Sequence, residues 1–532
     1  MIKRIDKKTG VITLKDSKPK AKRGFASVNN PQFLSSWSTP TTDASTEQRN
    51  AAERLRNQAR ELERNNSYVV RFLNEWISNI VGTGYNFSSL AVNAQGREDK
   101  GAREIIENAW KDFQSARICT ASGDMPYREF KGLSERACAR DGGVLIQILR
   151  GFDNPHNFAL HLLEIDRLDI NYNEASNKDG NRVIMGKEID QYGRPIAYHL
   201  LGNHPGDQYG TRGRQRRTRV PADQIIPRYY RTRAESYHGQ RLIAQANVAL
   251  QHLERFEEAE LIAARTGASS VAAIERTEGA EWSGADAEDR TVEPGAIWEG
   301  EPGESFKLLS SNHPSQNYTS FRDGILKGVC SGLLSSFHTV SQSFEGISYS
   351  SLREGKLNIK ALTQVYRAMN IEREEEPIFR AWLSTALRTG VIKNLPASNF
   401  ENLARGSFTG RGFEWVDPKK DVEGLRVELA IGATSLSRAV KERLGVGLDV
   451  IIAERKADAE AFAAAGLPVP AEFGSASDDG VARTLQQVYL AGGKVITAEE
   501  ARQIVNDAGG NLVDALPPGF GELSKPEEPD ED

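Results

Sequence analysis

The side chains of this sequence best suited to chemistry are eight histidines, three cysteines, one cluster of arginines and one close pair of aspartates. A catalytic or metal site needs several such groups converging at fixed spacing. Asp166 and Asp169, in EIDRLDI, form the best carboxylate pair for a cation, but no further ligands accompany them. His156 and His161 stand five residues apart in an expected strand, which puts them on opposite faces and argues against a shared metal. His238 and His338 sit at expected element boundaries, where hydrogen bonding or capping suffices. Cys119, Cys138 and Cys330 are widely spaced and odd in number, which builds neither a disulfide framework nor a paired ligand set. In TRGRQRRTR, Arg212, Arg214, Arg216, Arg217 and Arg219 crowd one stretch. They suit either a phosphate-binding patch or an exposed hairpin tip that pairs with acidic surface on a neighbouring subunit.

Enzymatic motifs are missing as well. The sequence has no GxxxxGKS/T phosphate loop, no HExxH, no GxSxG elbow, no CxxC pair and no GxGxxG after a strand. The Gly-Thr-Gly at 82–84 follows a helical pattern and reads as its stop signal. Composition points the same way: 532 residues, 39% hydrophobic and 27% charged, allow two or more units with buried cores. No run approaches the roughly 18–20 apolar residues that cross a bilayer, and the N-terminus has no apolar stretch for secretion, so no membrane partner is expected. A net charge of −5 excludes a DNA-coating protein and leaves only local, weak or non-adhesive DNA contact.

The elements that would position these residues can be read from periodicity. Residues 1–49 are basic, then rich in Ser, Thr, Asn and Pro, and read as an arm. A helical pattern from Glu47 carries Val69, Leu73 and Ile77 with Phe72, Trp76 and Ile80, and ends at Gly82. Helices over 101–116 and 127–140 lead into the strand VLIQILR and a mixed β unit over 144–230, so 50–235 is an α+β domain. A long acidic amphipathic helix over 239–266, a β-rich insert and a return helix over 318–334 form a hairpin with a head on it. A segment poor in regular pattern, SSFHTVSQSFEGISYSS, precedes a long helix over 352–389, further helical patterns to about 465, a small helical unit over 481–507 and an acidic end.

Several strings carry a family likeness. ARELERNNSYVVRFLNEWISNIVGTGYNF, RAESYHGQRLIAQANVALQHLERFEEAE, EPGAIWEGEPGESFKLL, ISYSSLREGKL, and WVDPKKD followed by GVGLDVIIAERKADAEAF resemble, in order, segments of lambda-type portal proteins of tailed bacteriophages. The second Pro-Gly element reads EGEPGE where the family has Leu-x-Pro-Gly-Glu, and Ser348 stands before Tyr349 where Asn is usual.

The resemblance implies a portal fold. It assigns an arm at 1–49, a wing at 50–235, stem helices at 236–266 and 313–334, and a clip at 267–312. A tunnel loop at 335–350, a long wing helix at 351–400, a crown and C-terminal helical region at 401–515 and an acidic tail at 516–532 follow. It further implies a ring of twelve copies at one capsid vertex, made in the bacterial cytoplasm and carried in the virion. Its partners would be double-stranded DNA passing without sequence specificity, the terminase large subunit, head-completion or adaptor proteins, and major capsid and scaffold proteins. No cofactor, metal or enzymatic activity is implied. Phe337, His338, Ser341, Gln342, Ser343 and Phe344 are the expected DNA-contacting residues, with the alternative that the two phenylalanines pack the loop against the stem. Glu254, Glu257, Glu258 and Glu260 are the acidic stem candidates, since a basic lining would grip the phosphates and brake the duplex. A metal-dependent nuclease and another ring-forming adaptor are the competing readings.

Overall fold

The computed structural model describes residues 41–208, 216–269, 317–413 and 418–465, with the backbone of four further short strands. Residues 1–40 of the arm, most of the clip, Arg212, Arg214, the helical unit at 481–507 and the acidic tail lie outside the described residues, apart from the backbone of β1 (Lys3–Ile5) and β2 (Ile12–Leu14).

The expected helix over 47–82 is two helices, α1 (Ala44–Asn65) and α2 (Ser67–Ile80). Asn66 causes the break: its backbone is extended (φ −107°, ψ 115°), and its side chain accepts from the amides of Tyr68 and Val69 at 3.1 and 3.3 Å. An asparagine so placed caps the new helix more favourably than it continues the old one. After β3 (Tyr85–Ser89) come α3 (Lys100–Phe113), the short α4 (Ala116–Cys119) and α5 (Tyr127–Asp141). Gly142, at φ +85°, ends α5 in the left-handed conformation that glycine adopts at no steric cost.

The mixed β unit resolves into two antiparallel sheets. β4 (Val144–Arg150) lies between β5 (Phe158–Glu164) and β10 (Ile225–Arg228). β6 (Arg182–Ile184), β7 (Lys187–Ile189), β8 (Pro195–Leu201) and β9 (Arg217–Pro221) form the second, in sequence order. Leu145, Leu163, Tyr198, Leu200 and Ile225 form a shared core between them. His156 falls before β5, not within it, so the two histidines do not share a strand.

A 3-10 turn at Leu242–Gln245 precedes α6 (Asn247–Ser269), so the long helix starts later than periodicity predicts. The strands β11 (Ala272–Arg276) and β12 (Glu304–Leu308) pair antiparallel, and α7 (Tyr318–Gly332) returns. The patternless segment contains a five-residue helix, α8 (Phe337–Ser341). The next helical stretch is α9 (Tyr349–Asn370), a π-helical turn at Ile371–Glu375, and α10 (Glu376–Thr389), which together run without a break past Pro377. Pro377 is accommodated in the first turn of α10.

After α11 (Phe400–Leu403), β13 (Gly406–Gly410) pairs antiparallel with β3 and sets Phe408 opposite Phe87. A Cβ at Gly406 would collide with the Phe87 ring, so the close approach requires glycine there. The pairing thus joins residues on either side of position 400. Phe87, Trp110, Phe113, Tyr127, Phe379, Trp382 and Phe408 surround this pairing in an aromatic core. α12 (Pro418–Ala430) and α13 (Leu436–Leu444) follow. The chain divides into two units, Met1–Val446 and Gly447–Asp532, and the second contributes α14 (Leu448–Ala464) to the described residues. The result is an α+β fold, and among the described residues no helix is long and apolar enough to cross a membrane.

Candidate functional site

The channel segments implied by the resemblance are α6, α7 and the turn carrying α8, with α9 expected in the long wing helix. One face of α6 is closed: Leu250 packs in a cluster with Val329, Cys330 and Leu333 of α7, and Phe256 meets the Tyr318 and Phe321 rings at centroid distances of 5.8 and 4.7 Å. Elsewhere on α6, Val248, Leu261 and Ile262 are exposed. Of the acidic candidates, Glu258 is exposed, whereas Glu254, Glu257 and Glu260 are half-buried. Glu257 accepts a 2.9 Å hydrogen bond from the Tyr68 hydroxyl, which ties α6 to α2.

The turn after α7 hangs on the same face of α2. Ser335 donates its hydroxyl to Glu75 at 2.7 Å, and Arg71 Nε donates to the Thr339 carbonyl at 3.2 Å. Burial pushes the Glu75 carboxyl up, and the Ser335 hydroxyl and Arg71 partly offset it. Val340 is buried, and Phe337 is half-buried against the cluster around Phe72 and Leu333, with Lys327 Nζ 5.3 Å from its ring centroid. His338 Nδ1 lies 2.8 Å from the Ser343 carbonyl, and its ring stacks on Phe344 at 6.5 Å. Ser341 and Ser343 are half-buried, Gln342 is exposed, and Phe344 is 53% exposed. Of the two phenylalanines, then, Phe337 packs and Phe344 projects.

The other residues singled out by type do not build a reaction centre. Glu164, Asp166 and His204 are the one group of possible metal ligands among the described residues, with ligand atoms within 4.8 Å of one another. Arg56 and Arg60 already hold Asp166 at 2.8 Å each, so the carboxylate is neutralised by guanidinium and poorly suited to a cation. Asp169 is taken by Arg217 at 2.6 Å, and Glu188 by Arg219 at 2.7 Å. Two arginines of the basic stretch therefore pair within their own subunit, not with phosphate or a neighbour. His156 is buried between Asp112, 2.9 Å from Nε2, and Trp382, which donates to Nδ1 at 3.1 Å. All three cysteines are buried, and burial pushes the Cys119 thiol up to about 12 and the Cys330 thiol to about 11, which makes poor nucleophiles.

Sequence reasoning missed a buried ionic hub at the π-turn. Lys131 Nζ meets Glu374 and Glu375 at 3.0 and 3.1 Å, while Arg228 meets Glu135 and Glu374 at 2.9 Å each. Trp76 and Tyr230 each donate to Glu135 at 2.6 Å, Asn370 donates to it at 3.0 Å, and Tyr127 donates to Glu375 at 2.7 Å. Three carboxylates face two cations, and burial pushes the Glu375 carboxyl up, partly offset by Lys131 and the Tyr127 hydroxyl. The signals were Arg228 inside an apolar strand, and the Lys131/Glu135 pair one turn apart on α5. The hub fixes α2, α5, β10 and the α9–α10 helix to one another and offers no opening to a substrate.

Comparison with known proteins bears directly on these segments. The family model described as phage portal protein, lambda family, matches residues 30–367, which span α1 to the last turn of α9. A probable portal protein of Halomonas phage phiHAP-1 is 30% identical over 430 residues, covering 79% of this chain and 82% of that one. Portal protein B of Escherichia phage lambda is 24% identical over 194 residues, 35% of this chain and 36% of that one. Among solved structures, a chain from the neck of an empty gene transfer agent particle is similar at a TM-score of 0.44 and 14% identity, over 73% of this chain and 92% of that one.

Proposed function

Since the chain belongs to the lambda family of phage portal proteins, we propose that twelve copies close into a ring at one capsid vertex, through which double-stranded DNA enters and leaves. The ring docks the terminase large subunit during packaging and head-completion or adaptor proteins afterwards, and it contacts major capsid and scaffold proteins. The chain forms or breaks no bond in the DNA; terminase supplies the energy. Phe344 and Gln342, with His338 and Ser343 behind them, supply light, sequence-independent contact to the duplex. Glu258 contributes negative charge that keeps DNA sliding, since a basic lining would bind it through released counterions.

The observation that carries the ring is where apolar surface is left uncovered. Leu261, Ile262, Phe321, Val365, Val427 and Leu444 on the stem, α9, α12 and α13 are all between 53% and 57% exposed. Large apolar side chains exposed on several helices are what a subunit of a ring can bury against its neighbours. Native mass measurement at moderate salt tests the proposal. A species of about a dozen 58.7 kDa chains is the expected result. A stable monomer or dimer at high concentration would contradict it, and divalent-metal-dependent cleavage of DNA by the pure protein would return the nuclease reading.

A further inference from the structure

We propose that residues 231–241, the strap that joins β10 to the turn before α6, are an acid-released latch whose proton sensor is His238. The proposal concerns the folded subunit and does not depend on the ring.

The strap is pinned from several sides. Gln48 of α1 donates to the Ser236 hydroxyl at 3.0 Å and to the His238 carbonyl at 3.1 Å, Ser236 donates to the same carbonyl at 2.5 Å, and Arg241 donates to the Ala52 carbonyl. From β7, the buried Lys187 donates its ammonium to the Tyr237 carbonyl. At Gly239 the chain runs so close to the Gly142 carbonyl, where α5 ends, that any side chain would collide with it. Between these fixed points His238 is buried, and its Nε2 has no hydrogen-bond partner among the described residues.

The charges facing that imidazole are of one sign. Lys187 comes from β7, Arg56 from α1 and Arg241 from the strap itself. Lys187 rests on the Tyr229 ring, with Nζ 4.2 Å from its centroid, and Arg231 donates to the Tyr229 hydroxyl at 3.0 Å. The two carboxylates that face Arg241 are already committed: Asp166 pairs with Arg56 and Arg60 at 2.8 Å each, and Asp141 pairs with Arg60 at 3.0 Å and Arg140 at 2.7 Å. A proton on His238 would add one more positive charge to a buried group of cations, where like charges repel strongly.

Burial holds the His238 imidazole well below its ordinary range, the three cations act in the same direction, and a hydrogen bond to the Met185 backbone opposes them only in part. Release of the strap exposes the ring to water, where its pKa returns to about 6.5. Opening therefore takes up one proton. Its equilibrium is indifferent to pH above about 6.5 and rises about tenfold for each pH unit below it, until the pH reaches the folded value.

Hydrogen exchange of the full chain at pH 7 and pH 5, read on peptides spanning 231–241 and corrected for intrinsic amide exchange, tests the proposal. The strap should open at least tenfold more readily at pH 5, while β4 stays unchanged. His238→Gln should abolish this acid response whatever its opening at pH 7, and Lys187→Met, which removes one facing cation, should reduce it. A parent strap that opens equally at both pH values, or an acid response kept in full by both variants, would overturn the proposal. So would acid opening matched in β4, which would report loss of the whole subunit and not release of the latch.

Discussion

The buried core expected of the wing and the helices α6, α7, α9, α12 and α13 treat their large side chains in opposite ways. In the wing, Trp110, Trp382, Phe113, Phe130 and Phe379 are essentially fully buried, and even its buried charges, Lys131, Arg228, Glu135, Glu374 and Glu375, find partners inside the same subunit. On α6, α7, α9, α12 and α13, aliphatic and aromatic side chains stand exposed beside charged ones. The aromatic and ionic cores are buried within one chain, whereas several of these helices keep large apolar side chains exposed, as the proposed ring would require.

The largest expected effect breaks the wing side of that contrast. Replacing Arg228 with Leu strands Glu135 and Glu374 without their guanidinium, and removing one partner of a buried ion pair costs about 3–5 kcal/mol. Thermal unfolding should show a markedly destabilised or insoluble subunit; a melting temperature within a few degrees of the parent would mean the hub is not what holds the long helix to the wing.

Ile262→Asp on α6 tests the other side. Ile262 is exposed, so stability of the isolated subunit should change by less than about 0.5 kcal/mol, while the assembled species should be lost from native mass spectra. An effect on subunit stability without one on assembly would reverse the comparison.

Acid sensitivity separates the regions more finely. In the wing, Arg219 above all, helped by Asn181 and Asn177, holds the Glu188 carboxyl at about 2, below its usual 4.5. A carboxyl depressed in the folded state stabilises the protein above its unfolded pKa and loses that contribution as pH falls from about 4.5 through about 2. Arg219→Ala should therefore remove about 1–2 kcal/mol at neutral pH, after allowance for screening at the half-exposed arginine, and flatten the acid limb in that window. Chemical denaturation at pH 7 and at pH 2 checks both.

The smallest contrast lies inside one turn. Phe337→Ala should cost about 1–2 kcal/mol because the ring packs on the stem cluster, whereas Phe344→Ala should change stability by less than about 0.5 kcal/mol. Equal costs in thermal melts would mean that both rings merely pack, and would withdraw Phe344 as a DNA contact.

Local rules made much of this legible in the sequence. Apolar periodicity found α2, α3 and α5, glycine marked where α2 stops, and the helix, small β module and helix order of α6 to α7 followed from pattern alone. What escaped depends on distant partners or on very short elements. β3 and β13 are five residues each and pair across more than three hundred positions, so neither carries its own alternating signal. α8 is too short for a helical period to register. Nothing in the sequence marks Glu374 and Glu375 as buried, because charge on a helix is normally exposed; only the fold brings Lys131 and Arg228 to them. In the candidate site the residue types were readable, but the difference between Phe337 and Phe344 was not, since it depends on which ring reaches the cluster behind the turn.

Hydrogen exchange compared between the assembled protein and dissociated subunits tests the central claim most directly. The account predicts that amides of α6, α7, α9 and α13 gain strong protection on assembly, while those of α3, α5, β4 and α10 exchange equally slowly in both forms. Equal protection of the channel helices in both forms, or protection gained mainly in the wing, would contradict it.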